Sequence, residues 1–135
     1  MDVHLVDGTY ELFRQHFGSA SRHEDRHPYA ASAGVVSSSL MLVEDGATHV
    51  GIASDHVIES FRNEMWPGYK TSEGMDPEIL EQIPVMEDLL TAAGFTVWAM
   101  IAHEADDRLR YALKAVPDVS LMLYEVEFHL RSRAK

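Results

Sequence analysis

Short apolar runs alternate along this chain with longer stretches in which apolar residues recur at helical spacing. Val3 to Val6 is such a run; it ends at Asp7-Gly8 and reads as a buried strand. Thr9 to Phe17 carries Tyr10, Phe13, Arg14 and Phe17 at helical spacing, so a helix follows. Gly18 to Pro28 is polar and reads as a loop; His23 and His27 within it are four apart, a metal-ligand spacing on a helix but solvated surface in a loop. Tyr29 to Val43 reads as a second helix, closed by Glu44-Asp45-Gly46, and Thr48 to Ser54 as a second strand that ends on Asp55. Glu59 to Tyr69 is irregular. Asp76 to Ala93 is a long amphipathic helix, with Asp76 as its cap, Pro77 in its first turn, Gly94 as its stop and Pro84 as an expected kink. Phe95 to Ile101 is a third strand and Asp106 to Val116 the next helix. Pro117-Asp118 then turns the chain into a fourth strand, Val119 to Tyr124, and the basic tail Arg131 to Lys135 is expected to fray. Strands alternating with helices predict an α/β fold: one domain over residues 1–135, with an open, mostly parallel sheet of about four strands and helices on both faces.

Composition narrows the function. A chain of 135 residues with 46% apolar and 24% charged residues is an ordinary globular domain. It has no cysteine, which excludes disulfides and thiolate chemistry and suits a cytoplasmic location. Met1-Asp2-Val3-His4 lacks the basic opening of a signal peptide, and no apolar run approaches membrane-spanning length, so no membrane association is expected. The net charge of −11 opposes broad electrostatic binding to nucleic acid, although a metal nest would absorb several of those negatives.

The chemistry concentrates at His103-Glu104-Ala105-Asp106-Asp107, between the third strand and its helix. Glu104 and Asp107 share a helix face, while Asp106 turns partly aside. Acids are favoured in any first helical turn, where they offset the macrodipole. Here, however, Asp7 and Asp55 also stand at strand ends, and in a parallel sheet all the carboxyl ends point to one rim. Carboxylates crowded together repel one another unless a cation lies between them, and the hard ions that suit them are magnesium or manganese. Two such ions about 4 Å apart can orient a water for phosphodiester cleavage. Val6-Asp7-Gly8-Thr9 also resembles the opening of the haloacid-dehalogenase-like phosphatases, but Leu5 stands where their nucleophilic carboxylate must be.

Taken in order, Leu5-Val6-Asp7-Gly8, Asp55, Ser60-Phe61-Arg62-Asn63-Glu64, Gly68-Tyr69-Lys70 and Glu104-Ala105-Asp106-Asp107 resemble the 5′–3′ exonuclease family. That family includes the exonuclease domain of bacterial DNA polymerase I and the phage flap endonucleases, and the resemblance runs from Leu5 to about Leu113. It implies that Asp7, Asp55, Glu104, Asp106 and Asp107 hold Mg2+ or Mn2+, with Asp7, Asp55 and Lys70 as the catalytic set. It further implies that Arg62, Tyr69 and Lys70 lie on an arch that admits a single-stranded DNA end, Lys70 meeting the scissile phosphate and Tyr69 stacking on a base. Without the resemblance, Trp66 and Tyr69 are loop residues packed onto the sheet, and Arg62 is a surface partner of Glu59 or Glu64.

The chain also departs from the family. An Asp-x-Asp pair is expected after the fourth strand, and Glu125 and Glu127 stand there as replacement ligands or as one polar face of a strand. Glu73 occupies a position where a basic residue is usual, and the resemblance finds no helix-hairpin-helix clamp for duplex DNA in these 135 residues, as expected of a family domain truncated at its C-terminus. Two functions follow. One is a divalent-metal-dependent 5′–3′ exonuclease or flap endonuclease that cuts DNA through metal-activated water. The alternative is a catalytically inactive, nuclease-like domain that binds metal or nucleic acid or serves as an interaction module. A third reading is a fragment whose open sheet edge is covered by a second copy or by another chain.

Overall fold

The computed structural model describes residues 1–20, 27–66, 68–115 and 120–123. Four strands form one sheet in the order β3-β2-β1-β4: β1 (Asp2–Asp7), β2 (His49–Asp55), β3 (Thr96–Met100) and β4 (Ser120–Leu123). Every pairing is parallel. Asp7 lies opposite Ala53, and Asp55 opposite Met100, so the ends of β1 and β2 reach the same rim. The expected parallel α/β architecture is therefore the one observed.

The period of two along each strand divides the core. Val6 and Ile52 point to one face, where α1 (Gly8–Ala20), α2 (Ala30–Glu44) and α4 (Pro77–Ala92) pack with Leu12, Val35, Ile79, Ile83, Met86 and Leu90 fully buried. Leu5 and Ala53 point to the other face, against Ala105 and Leu109 of α5 (Ala105–Ala115). Asp7 and Asp55 continue the α5-facing series to the rim, and Ser54 continues the α4-facing one. Gly51 is required on the α5 side: a Cβ there would stand 2.7 Å from the Trp98 ring, whose six-membered edge occupies the space a side chain would need.

Local departures from the expected elements have clear causes. Glu59 to Tyr69 is not irregular throughout: α3 (Phe61–Met65) is a short helix, started by Ser60 and Asn63, whose side chains each bond the other's backbone N–H. Asn63 fills the place of the glutamate or glutamine of a capping box. Pro84 lies inside α4, which continues through it as one helix. Asp76 caps α4 by accepting from Glu78 N–H at 3.0 Å, as expected. The Gly18 to Pro28 loop begins later than its composition indicates, because α1 runs on to Ala20. His27 is exposed and its Nδ1 accepts from the Tyr29 N–H. His23, the Pro117-Asp118 turn, Glu125, Glu127 and the tail from Arg131 lie outside the described residues. Among the described residues no helix is long and apolar enough to cross a membrane.

Candidate functional site

The rim gathers Asp7 from β1, Asp55 from β2, and Glu104, Asp106 and Asp107 from the start of α5. Arg62 and Lys70 reach it from the segment after β2. Asp7 caps α1, its Oδ1 accepting from Tyr10 N–H at 2.9 Å. Burial, with the charges of Asp55 and Asp106 nearby, pushes the Asp7 carboxyl up from 3.8 to about 7, against the opposing pull of Tyr10 and Lys70. Asp106 makes no hydrogen bond or ion pair among the described residues, although its charge is felt at Asp7.

Asp55 is committed on both oxygens. Its Oδ1 accepts from Ala105 N–H at 2.7 Å, at the N-terminus of α5, where an anion meets the helix dipole and a free backbone donor. Its Oδ2 receives the Lys70 ammonium, and its own N–H donates to Thr9 Oγ1 at 2.7 Å. Burial pulls the Lys70 pKa down, but the hydrogen bond and charge of Asp55, backed by Glu104 and Asp7, outweigh this and hold it above the ordinary lysine value.

Arg62 occupies the other half. Its guanidinium grips Asp107 with two bonds, of 2.9 and 2.7 Å, and stands 3.2 Å from Glu104 Oε1. Such planar, two-pronged pairing is the strong form of the contact, and it holds the Asp107 carboxyl below its ordinary 3.8. The same hydrogen bond raises the arginine still further above neutrality. Asp107 also accepts from Glu104 N–H at 3.2 Å, and Ser60 Oγ donates to Glu104 Oε1 at 2.8 Å. The reading of Arg62 as a surface partner of Glu59 or Glu64 is corrected: Glu59 instead accepts from Ser72, through its N–H and Oγ. Trp66 and Tyr69 are 72% and 46% exposed, beside the equally open Met65.

Several contributors carry no motif that singles them out. Thr9, Ser60 and Asn63 hold the rim: Asn63 donates to the Lys70 carbonyl and so fixes the backbone that carries the lysine. On the other face of β2, buried Glu87 accepts from Ser54 Oγ and from His56 Nδ1. Small polar residues next to a motif are the one signal the sequence offers for the first group; Glu87 has none.

This donor set does not fit a two-metal centre. Asp55, Glu104 and Asp107 already have protein cations. Among the described residues the rim has no three donors within 4.8 Å of one another. The one His/Asp/Glu group that meets this spacing among the described residues is His16, Asp76 and Glu78, none of them a rim residue. Glu125 and Glu127, the candidate replacements, fall outside the described residues.

Comparison with known proteins fixes the lineage. The profile of the 5′-3′ exonuclease N-terminal resolvase-like domain matches residues 2–122. DNA polymerase I of Thermus thermophilus is 34% identical over 110 residues, which are 79% of this chain and 13% of the polymerase. DNA polymerase I of Geobacillus stearothermophilus is 30% identical over 106 residues, 76% of this chain and 12% of the polymerase. The chain thus spans about an eighth of the length of these relatives. The D15 protein of bacteriophage T5, crystallised with metal ions, superposes with a TM-score of 0.61 at 20% identity, covering 84% of this chain and 44% of that one. A second T5 structure, a pseudo-enzyme–product complex of the flap endonuclease with DNA and metal ions, gives 0.60 at 21%, with the same coverage.

These likenesses carry the fold and not turnover. With the rim acids Asp55, Glu104 and Asp107 paired to Lys70 and Arg62, and the metal nest incomplete among the described residues, the expectation of a working metal-dependent exonuclease or flap endonuclease is corrected. What stands is the lineage: the chain belongs to the 5′-3′ exonuclease N-terminal resolvase-like domain family.

Proposed function

We propose that this chain is a catalytically inactive, nuclease-like module that binds single-stranded or 5′-ended DNA. The observation that carries this reading is the internal neutralisation of the rim, Lys70 on Asp55 and Arg62 on Asp107 and Glu104. Paired in this way, the acids repel a phosphate backbone less without recruiting metal. The two cations keep donors to share with an incoming phosphate. Met65, Trp66 and Tyr69 offer exposed surface on which bases can stack. Magnesium or manganese, where it joins the rim, does so weakly and at a single half-site, since Asp7 and Asp106 are the acids there that lack a direct cation partner among the described residues.

The test is fluorescence anisotropy of a labelled single strand and of a 5′-flap duplex, at low salt, with EDTA and then with magnesium. Binding that survives EDTA, weakens on Trp66→Ala and leaves the DNA uncut is the expected result. Absence of binding at low salt would overturn the proposal, as would cleavage that requires magnesium and is lost in Asp7→Asn.

A further inference from the structure

We propose that His16, Asp76 and Glu78 form a site for one divalent cation of the zinc class, tying α1 to the start of α4. One donor atom from each residue lies within 4.8 Å of the other two. Small rotations of the two exposed carboxylates would close this spacing onto a single ion with bonds of roughly 2.0–2.2 Å. The three groups come from helices sixty positions apart in sequence, so the cluster is not simply the acidic first turn of one helix.

The imidazole is the fixed member. His16 is 5% exposed and stands edge-on to Phe17 with ring centroids 5.0 Å apart, and its Nε2 faces Asp76 Oδ2 at 3.2 Å. Asp76 is oriented as well: its Oδ1 is held by Glu78 N–H, which leaves Oδ2 directed at the histidine. Neither Asp76 nor Glu78 pairs with a lysine or arginine among the described residues. Two carboxylates therefore face one imidazole, with excess negative charge, unlike the rim acids that Lys70 and Arg62 neutralise. One nitrogen and two carboxylates suit a borderline ion such as zinc better than magnesium, which favours an all-oxygen shell. The site would clamp the far end of the segment that carries Arg62 and Lys70. It does not depend on the reading of the rim.

Calorimetric titration of the full chain with zinc alone tests this, with the visible absorption of bound cobalt as a second readout. The expected result is one zinc per chain, weakened at least tenfold by His16→Gln and by Glu78→Gln and unchanged by Asp106→Asn. The cobalt spectrum should change when the imidazole is removed. Glu78 is exposed, so its substitution tests the site even where loss of the buried histidine unfolds the chain. No zinc binding up to millimolar concentration would overturn the proposal. Binding that both variants retain, or that Asp106→Asn abolishes, would also overturn it and leave Asp76 as a helix cap with a histidine neighbour.

Discussion

Replacing Asp7 by asparagine should stabilise the fold in a pH-dependent way. The folded carboxyl titrates at about 7 and the ordinary value is 3.8, so between these limits the native state holds a proton that the unfolded chain has released. Stability therefore falls as pH rises from about 4 through about 7, and stays at the lower level above that. The full difference corresponds to roughly 4 kcal/mol at 1.36 kcal/mol per pH unit. That is a ceiling, because Asp7 sits at an open rim where water can reach the ionised form, and about half is the expected effect. Asparagine keeps the oxygen that accepts from Tyr10 N–H, so the α1 cap is retained. Urea unfolding of both proteins in EDTA, at pH 4, 6 and 8, isolates this group, since the histidines common to both cancel in the difference. Near-equal stability at pH 4, with asparagine ahead by about 2 kcal/mol at pH 8, is expected. A variant less stable at pH 8, or a difference that does not move with pH, would refute the argument that burial beside Asp55 and Asp106 holds the proton.

Three further substitutions probe the frame around the rim. Arg62→Ala strands two partly buried carboxylates and should cost roughly 1–3 kcal/mol in urea unfolding at pH 7. Because Arg62 holds Asp107 below 3.8, that contribution is present above about pH 4 and is lost as pH falls through the lowered value, so the gap between native and variant should close in acid. Ser60→Ala removes the α3 cap and a bond to Glu104 and should cost about 1 kcal/mol, read from the same curves. Gly51→Ala drives a methyl into the Trp98 ring and should cost roughly 1–3 kcal/mol, with a changed near-ultraviolet tryptophan signal.

The sheet was legible in sequence because each strand is a short apolar run ending in an acid or a turn, and each helix carries a cap or a stop. The convergence of Asp7, Asp55 and Glu104 to Asp107 followed from parallel strands alone. Ser60 to Met65 was missed as a helix because Asn63 does the work usually assigned to glutamate or glutamine, and five residues carry little periodicity. The state of the acids was not legible at all. That Asp55 caps the start of α5, and that Arg62 turns to Asp107 and not to Glu64, depends on contacts 45 to 50 positions apart. Glu87 shows the same limit: helical spacing placed it on α4, but only packing against β2 reveals a buried carboxylate bonded to Ser54 and His56. His16 meets Asp76 across a comparable gap, which no local pattern spans.

In this fold Lys70 and Arg62 stand among the rim acids, where the family resemblance would place metal ions. The decisive measurement is magnesium calorimetry on the native chain and on Lys70→Met, which frees one oxygen of Asp55. At most one weak site in the native chain and tighter binding in the variant are the expected results. Two tight sites in the native protein, lost on Asp7→Asn and unimproved by Lys70→Met, would contradict this reading of the rim.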